Sequence, residues 1–344
     1  MGTNTQLKYG ARLINSYLGD NSTISCCEVL NSLIFPGHEQ HHNNSFLCAA
    51  TVQGQSNMAA GATIGSNHNS RAADGELVAG RGFWPGLCVS IKHNSTFASF
   101  TLLAKGDFQY ELNVPIPFSL VSNSLDNKEL HIMPGYWFAY NLYALARNSE
   151  KYAERDRRLD KTIYLEYDFL APDTINDMRR GLEILESSVG RAFQLKSKKS
   201  IAKDLTEVGR NELLTAAKWI EDTSIHLENI ENSKRPVKLL KVQAAHANFR
   251  KLILYYCIRE LIESTGYHYN YLEKLQALLQ KNKGKCEDWI NAGGQLVRKK
   301  ALEQLKTLIK NGKIKNWDEV HEWYRLQSKK YKRDKINHAA ATLL

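Results

Sequence analysis

A spacing of six residues, repeated between positions 46 and 69, constrains the fold of this chain more than any other feature. Large apolar residues recur on one phase, and a small residue lies four positions after each of the first three. The large residues are Phe46, Val52, Met58 and Ile64, and the small ones are Ala50, Ser56 and Ala62. This period is neither the ~3.6 residues of a helix nor the alternation of a simple strand. It is typical of hexapeptide β-helix repeats, in which short strands stack into a solenoid.

Two other runs share this spacing. Their in-phase residues are Leu18, Ile24 and Leu30 in the earlier run, and Ile91, Phe97 and Leu103 in the later run. The earlier run breaks where Pro36 and His42 occupy the next in-phase positions, and the phase returns only at Phe46. We therefore predict that the segment Pro36–Ser45 is a loop that leaves the solenoid.

The two halves of the chain differ in composition, which predicts two domains. Residues 1–150 carry a net charge of −2, whereas residues 151–344 carry +12 and are rich in Lys, Glu and Leu at helical spacing. We predict a left-handed parallel β-helix over residues 1–150, followed by a helical-bundle domain over residues 151–344. The predicted helices are Pro172–Leu185, Ser200–Ile230, Pro236–Thr265, Tyr269–Gln280, Cys286–Ile309 and Trp317–Lys332, with a frayed tail after Lys335.

The distribution of apolar residues and cysteines predicts a cytoplasmic protein without a membrane segment. No run approaches the ~18 apolar residues of a membrane-spanning helix, and the first residues contain no apolar signal core. The six cysteines are scattered and none forms a CxxC pair, as expected for reduced thiols.

The combination of segments resembles two groups of proteins. The six-residue spacing is similar to that of left-handed β-helix acyltransferases that act on nucleotide sugars and are usually trimers. The segments HHNNSFLCAA (His41–Ala50), GSNHNSRAADGEL (Gly65–Leu77), GRGFWPG (Gly80–Gly86) and FASFTLLAKG (Phe97–Gly106), followed by a helical half, resemble a Bacteroidetes family described as a domain of unknown function. The first resemblance implies a homotrimer, and the second implies further β-helix before this region.

Histidines near the broken run are the candidate catalytic residues. In the acyltransferases that the chain resembles, a histidine facing the cleft between subunits is the general base, which suits a group that titrates near neutral pH. We assign this role to His42 first, then to His68 and His41, with Glu39 orienting an imidazole. The donor is left open, with acyl-CoA or another acyl donor as the possibilities. A solvated loop, or histidines packed along the coils, is the alternative. Zinc could also use these donors, with His38, but no cysteine lies near them in sequence and we predict no metal.

A polar, glycine-rich stretch at residues 66–86 is the candidate ligand-binding segment. Its arginines could hold a phosphate or carboxylate. The predicted ligand-binding residues are His38, Asn67, Asn69, Arg71, Asp74, Arg81 and Trp84. A structured turn with Trp84 as a packing residue is the alternative. The stretch matches neither a dinucleotide-binding fingerprint nor a P-loop.

Two functional hypotheses remain open from the sequence. The first is an acyltransferase-like or sugar-nucleotide-related transferase, acting at a site between subunits of a homotrimer. The second is a non-enzymatic scaffold or ligand-binding module on the same fold. Lysine clusters in the second half alternate with glutamates and apolar stripes and accompany no nucleic-acid-binding motif, so we do not expect nucleic acid as a partner.

Overall fold

The first third of the chain forms a β-solenoid of about six turns. The structure, a computed structural model, describes residues 1–66, 75–126, 128–197, 204–265, 271–284 and 286–343. The strands of the solenoid are β1 (Gln6–Lys8), β2 (Arg12–Ile14), β3 (Tyr17–Leu18), β4 (Thr23–Ser25), β5 (Cys27–Leu30), β6 (Leu33–Ile34), β7 (Glu39–Gln40), β8 (Ser45–Cys48), β9 (Ala50–Val52), β10 (Thr63–Ser66), β11 (Leu77–Ala79), β12 (Trp84–Pro85), β13 (Ser90–Lys92), β14 (Thr96–Phe97), β15 (Leu102–Leu103), β16 (Asp107–Phe108), β17 (Asn113–Val114) and β18 (Leu120–Asn123). The predicted β-helix fold is confirmed.

Three sides of parallel strands build each turn of the solenoid. One side has the strand order β2-β5-β8-β10-β13-β16 and another has β3-β6-β9-β11-β14-β17. The third side begins as β1-β4-β7 and continues further along as β12-β15-β18. Successive residues of a strand face opposite sides of the sheet, so each short strand offers one or two side chains to the interior.

Residues in register on successive turns form columns of buried side chains. On the β3 side the column is Leu18, Ile34, Val52, Ala79, Phe97 and Val114, none more than 4% exposed. On the β2 side it includes Val29, Leu47, Ile64, Ile91 and Phe108, all fully buried. Burying one such side chain stabilises the fold by roughly 1.5–3 kcal/mol, so the columns supply the main stabilisation of this region.

The corners between the sides use left-handed backbone. Asn21, Asn31, Asn44 and Asn94 all have φ between 47° and 60°. Asparagine tolerates this conformation better than most residues because its short side chain can bond locally. Asparagine therefore occupies several of the corners, and other residue types with left-handed backbone occupy the rest.

The spacing of the interior residues is less regular than a strict six-residue repeat. Phe46 and Leu30 lie on the outward side of their strands, and Leu47 and Val29 are the fully buried neighbours. The predicted loop at Pro36–Ser45 is also wrong, because β7 lies inside it and pairs with β4. Gln40 is in register with Ile24 and is fully buried, so a polar residue continues an apolar column.

Further strands and helices follow the last turn. β19 (Leu130–Met133) pairs antiparallel with β18, and β20 (Ile225–Leu227) and β21 (Val237–Leu239) extend the same sheet. The eight α-helices over the described residues are α1 (Tyr136–Tyr140), α2 (Leu142–Glu154), α3 (Pro172–Ser197), α4 (Leu205–Leu214), α5 (Val242–Thr265), α6 (Tyr271–Asn282), α7 (Lys299–Lys310) and α8 (Trp317–Leu343), with a β-hairpin of β22 (Trp289–Ala292) and β23 (Gln295–Arg298) before α7.

Several predicted helices of the second half differ from the structure. Among the described residues of Ser200–Ile230, the α-helix is α4, a 3-10 turn follows at Lys218–Ile220, and β20 lies near the end. The start of Cys286–Ile309 is the β22–β23 hairpin, and the tail after Lys335 continues α8 instead of fraying. Tertiary pairing decides these segments, because short strands take their stability from neighbouring strands more than from their own sequence.

The chain divides into two compact units. Unit 1 comprises residues 1–157 and 177–249, and unit 2 comprises residues 158–176 and 250–344. The division therefore falls inside α3 and inside α5. The domain boundary that the sequence predicts after residue 150 concerns which segments fold independently, and it remains a prediction.

Unit 1 contains the solenoid and the elements packed on its last turns. The indole of Trp137 donates to the carbonyl of Phe100 at 2.8 Å, and the rings of Phe100 and Phe118 stack at 4.9 Å. α3 and α4 meet at two glycines. A Cβ at Gly190 would lie 1.9 Å from the carbonyl oxygen of Leu205, and one at Gly209 would lie 1.8 Å from that of Glu186. Only glycine permits this contact.

Unit 2 has an aromatic core and a buried group of charges. Ala171, Trp289, Leu296 and Tyr331 form the core. Beside it, the Lys335 ammonium lies 3.0 Å from Glu166 and 3.2 Å from Glu260. Buried charges of this kind need partners, because moving an unpaired charge out of water is very costly.

A substitution at Gly54 should test the close packing of successive turns. Gly54 has φ +84°, and a Cβ there would lie 2.3 Å from the carbonyl oxygen of Pro36. Gly10 has φ +75° but nothing within 4 Å. We expect Gly10→Ala to lower the free energy of unfolding by ~1–2 kcal/mol through backbone strain alone. Gly54→Ala should cost clearly more, measured by urea denaturation, and equal losses would contradict the packing argument.

Candidate functional site

An exposed pair of histidines lies at the corner between β7 and β8. Gln40 ends β7 and Ser45 begins β8, and residues 41–44 turn between them with Asn44 in the left-handed region. The rings of His41 and His42 are exposed, and their centroids are 4.3 Å apart. His42 therefore does not occupy the interior position that the six-residue spacing suggested.

Two cations, one in the last turn of α2 and one directly after it, lie beside this corner. The Lys151 ammonium is 2.8 Å from one carboxylate oxygen of Glu39, and the Arg155 guanidinium is 3.3 Å from the other. The carboxylate of Glu39 thus holds two positive side chains. We call Glu39, His41, His42, Lys151 and Arg155 the flank cluster.

The flank cluster favours a neutral imidazole at His41. Reduced hydration lowers the pKa of His41, and the neighbouring His42, Lys151 and Arg155 lower it further, against the opposite effect of Glu39. A histidine whose pKa lies below its usual value is neutral at pH 7 and can accept a proton. The structure therefore brings together three of the four predicted catalytic residues, in an arrangement compatible with general-base chemistry.

His38 lies in the interior of the solenoid. Its imidazole is fully buried, with Nδ1 2.8 Å from the Ser56 hydroxyl and Nε2 3.1 Å from the Gln40 amide oxygen. The Gln40 amide nitrogen donates in turn to the Ser45 hydroxyl at 3.0 Å. Because the amide oxygen accepts, Nε2 carries the proton and Nδ1 accepts from Ser56. Burial lowers the pKa of His38 to about 4. Both ring nitrogens of His38 therefore bond protein groups inside the solenoid, where the ring does not contact solvent.

Arg81 and Trp84 make contacts with other protein groups. Arg81 is 2% exposed, donates to the Gln55 amide oxygen at 2.7 Å and lies 5.3 Å over the ring of Phe100. The half-buried ring of Trp84 lies 5.5 Å from that of Trp137. Their predicted role in ligand binding remains a prediction. Asn67, His68, Asn69, Arg71 and Asp74 lie outside the described residues.

A large cleft in unit 1, which no sequence motif marks, opens beside the sixth turn. Its volume is about 840 Å³. The residues that line it are Lys105, Gly106, Asp107, Gln109, Tyr110, Asn123, Ser124, Leu125, Ser233, Lys234 and Arg235. They come from β16 and the residues around it, from the end of β18, and from the loop before β21. Only the tertiary fold brings these three segments together, so no local sequence pattern could reveal the cleft. We call it the end cleft.

A smaller cavity of about 360 Å³ lies in unit 2. His338 and Cys286 line it, and both contact the Asn176 amide oxygen, at 3.0 Å and 3.8 Å. The other ring nitrogen of His338 lies 3.1 Å from the Tyr256 hydroxyl. Each imidazole nitrogen of His338 therefore has a protein partner.

The described residues offer no evident metal site or membrane helix. Within them, no group of three or more His, Cys, Asp or Glu side chains could hold one ion. Nor does any helix in the described part of the chain have the length and apolar character needed to cross a bilayer. The predicted cytoplasmic location remains a prediction.

Comparisons with known proteins identify a relative but no activity. No protein-family model matches the chain. A protein of Treponema pallidum (strain Nichols), described as uncharacterised, is 44% identical over 328 residues, which are 94% of this chain. The chain spans only 43% of that relative's length. A solved structure of a candidate acetyltransferase from Bacillus cereus aligns with 45% of this chain and all of its own, at 10% identity and a TM-score of 0.20. At that score the likeness carries no argument, and the predicted Bacteroidetes family is not confirmed.

The buried His38 should make stability depend on pH. Between pH 6.5 and about 4 the unfolded chain binds a proton at this residue that the folded chain does not bind. The contribution of His38 is complete above pH 6.5 and is lost as the pH falls, at about 1.4 kcal/mol per pH unit. We expect His38→Gln to remove this part of the slope in urea denaturation. The same change at the exposed His321 should leave the slope unchanged, and equal slopes in all three proteins would contradict the assignment.

The buried ion pairs of unit 2 predict that removal of the Lys335 ammonium lowers the free energy of unfolding strongly. Burial alone would raise the pKa of Glu166, but Lys335 and the Tyr331 hydroxyl outweigh it and lower that pKa. Lys335→Met should leave Glu166 and Glu260 without this cation and cost about 3–5 kcal/mol of unfolding free energy. The matched control is Lys332→Met on the same helix, where the side chain is exposed and the change should stay within about 0.5 kcal/mol. Similar losses in chemical denaturation of both variants would show that the ion pairs do not matter.

Proposed function

We propose that this chain transfers an acyl group from a thioester to a hydroxyl or amine at the flank cluster. The observation that carries the proposal is the exposed His41–His42 pair, with a lowered pKa at His41, beside two cations fixed by Glu39. A neutral, accessible imidazole is what a general base requires at pH 7. Lys151 and Arg155 suit an anionic group on the donor, such as the phosphates of coenzyme A.

The reaction at this cluster is an acyl exchange without a change of oxidation state. The imidazole accepts the proton of the acceptor hydroxyl or amine as that atom attacks the thioester carbonyl. The carbon–sulfur bond of the thioester breaks, and the departing thiolate takes the proton back from the imidazolium. The acceptor leaves as an ester or amide, and the free thiol is released.

The flank cluster lies on an open corner, and we propose that a second copy of the chain, within a homotrimer, completes the site. The outward positions on the β3 side are uncharged along its whole length. In register they are Tyr17, Leu33, Thr51, Val78, Thr96 and Asn113. Tyr17 and Leu33 are 46% and 43% exposed. An exposed, flat and uncharged strip of this kind favours contact with another protein surface.

Removal of both imidazoles should abolish turnover without affecting the fold. His41 and His42 are exposed, so His41→Gln/His42→Gln should leave the melting temperature unchanged. It should lower acyl transfer by about 10²–10⁴-fold, measured as thiol release from acetyl-coenzyme A with hydroxyl and amine acceptors. His131→Gln, at a half-buried ring bonded to Glu129 at 3.2 Å, is the control and should keep full activity.

Three outcomes would contradict the proposal. Turnover retained by the double variant would exclude the histidine pair as the base. A monomer in light scattering at micromolar concentration would remove the completed site. A ligand-induced rise in melting temperature without turnover for any acyl donor would favour the second hypothesis, a binding module without catalysis.

A further inference from the structure

The end cleft has the size and rigidity of a small-molecule site. Its volume of about 840 Å³ falls within the ~300–1,000 Å³ of typical ligand pockets. One wall is the loop before β21, which two backbone hydrogen bonds attach to the sixth turn. The amide of Asn113 donates to the carbonyl of Ile230 at 2.6 Å, and that of Asn232 donates to the carbonyl of Glu111 at 3.0 Å. The cleft is therefore preformed by the fold and does not depend on one mobile loop.

Arg235 is fixed at the base of this wall. Its Nε donates to Glu231 at 2.9 Å, and its Nη1 donates to the Asn123 amide oxygen at 2.9 Å. The side chain of Glu231 is fully buried beneath it. Asn123 donates in turn to the carbonyl of Asp107 at 3.2 Å. One chain of hydrogen bonds thus joins all three segments that line the cleft.

The charges in the cleft favour an anion. Three cations line it, Lys105, Lys234 and Arg235, against one carboxylate, Asp107. Glu231 balances Arg235, whereas neither lysine forms an ion pair with any residue that the structure describes. Two exposed ammonium groups at the rim of one concave surface raise the local concentration of anions, because their fields add within the cleft.

Part of the neutral lining is open to hydrogen bonds with a ligand. Asn123, Ser124 and Ser233 already bond protein groups and hold the walls in place. Gln109 donates one amide hydrogen to a protein carboxylate at 3.2 Å and keeps its amide oxygen for a ligand hydroxyl group. Tyr110 adds an aromatic surface that is 44% exposed. From the two lysines without ion pairs, the Gln109 amide and the exposed Tyr110, we infer that the end cleft binds a phosphorylated small molecule of the sugar-phosphate class.

Three matched probes should separate the contributions of charge and hydroxyl groups. Glucose 1-phosphate carries both features, glucuronate carries a carboxylate at C6 and no phosphate, and glucose is neutral. By isothermal titration calorimetry on the full chain, glucose 1-phosphate should bind, and glucose should bind at least tenfold more weakly. The affinity for glucose 1-phosphate should fall as salt is added. Equal binding of the phosphate and the neutral sugar, or tighter binding of glucuronate, would overturn the inference, as would the absence of binding of any probe at millimolar concentration.

Single lysine variants should locate the bound ligand. Lys105→Gln and Lys234→Gln should each weaken glucose 1-phosphate about tenfold, as expected for loss of one charge-assisted hydrogen bond. Lys8→Gln changes the charge equally at an exposed residue of the first turn and should leave binding unchanged. An equal effect of all three variants would show that the protein's overall charge, not the cleft, attracts the ligand.

This inference is independent of the proposed acyl transfer. His41→Gln/His42→Gln should leave the affinity for glucose 1-phosphate unchanged, because the flank cluster lies on the third turn and the end cleft beside the sixth. If the histidine variant loses turnover but not binding, both assignments stand. If it loses binding as well, the end cleft is not the site of the probe.

Discussion

The columns of interior side chains are the constraint on which the rest of this structure depends. Each side of each turn contributes an inward side chain, and register places that side chain above its equivalent on the turn before. A shift of a strand by one residue would turn its inward side chain to the outside. The backbone must also bend sharply between sides, and left-handed corners at asparagine and glycine allow it. The positions of the flank cluster and of the end cleft follow from this regular stack.

The third turn shows how the stack accepts polar residues. Alternation along β7 and the residue before it sends His38 and Gln40 inward and Glu39 outward. A buried histidine and glutamine would be costly without partners, but Ser56 and Ser45 complete their hydrogen bonds. The same short stretch ends in the exposed His41 and His42. His38 and the pair His41 and His42, only three residues further on, therefore have opposite environments. Only their position relative to the strand distinguishes them.

Unit 1 carries two surfaces of different chemical character. The flank cluster combines imidazoles with fixed cations on an open corner, which suits proton transfer but offers little enclosure. The end cleft is a concave surface with more cations than carboxylates, and no histidine is among the described residues that line it. Three turns separate them along the solenoid, about 14 Å at the usual spacing of neighbouring strands. A rigid solenoid can carry both, because each depends on its own turns and on the segments packed there.

The sequence by itself determined the class of fold and indicated the approximate place of one candidate site. The spacing of Val52, Met58 and Ile64 predicted a solenoid because a period of six fits only stacked short strands, and the clustered histidines pointed to the third turn. It could not set the exact register, since Phe46 and Leu47 are equally apolar and only the pairing of β8 with β5 and β10 decides which one faces inward. Nor could it tell the buried His38 from the exposed His41. It could not reveal the end cleft either, because one wall, at residues 233–235, lies more than a hundred residues along the chain from the other lining residues. Local patterns report what a segment can form, whereas burial, charge pairing and clefts depend on which distant segments meet, and tertiary structure alone decides that.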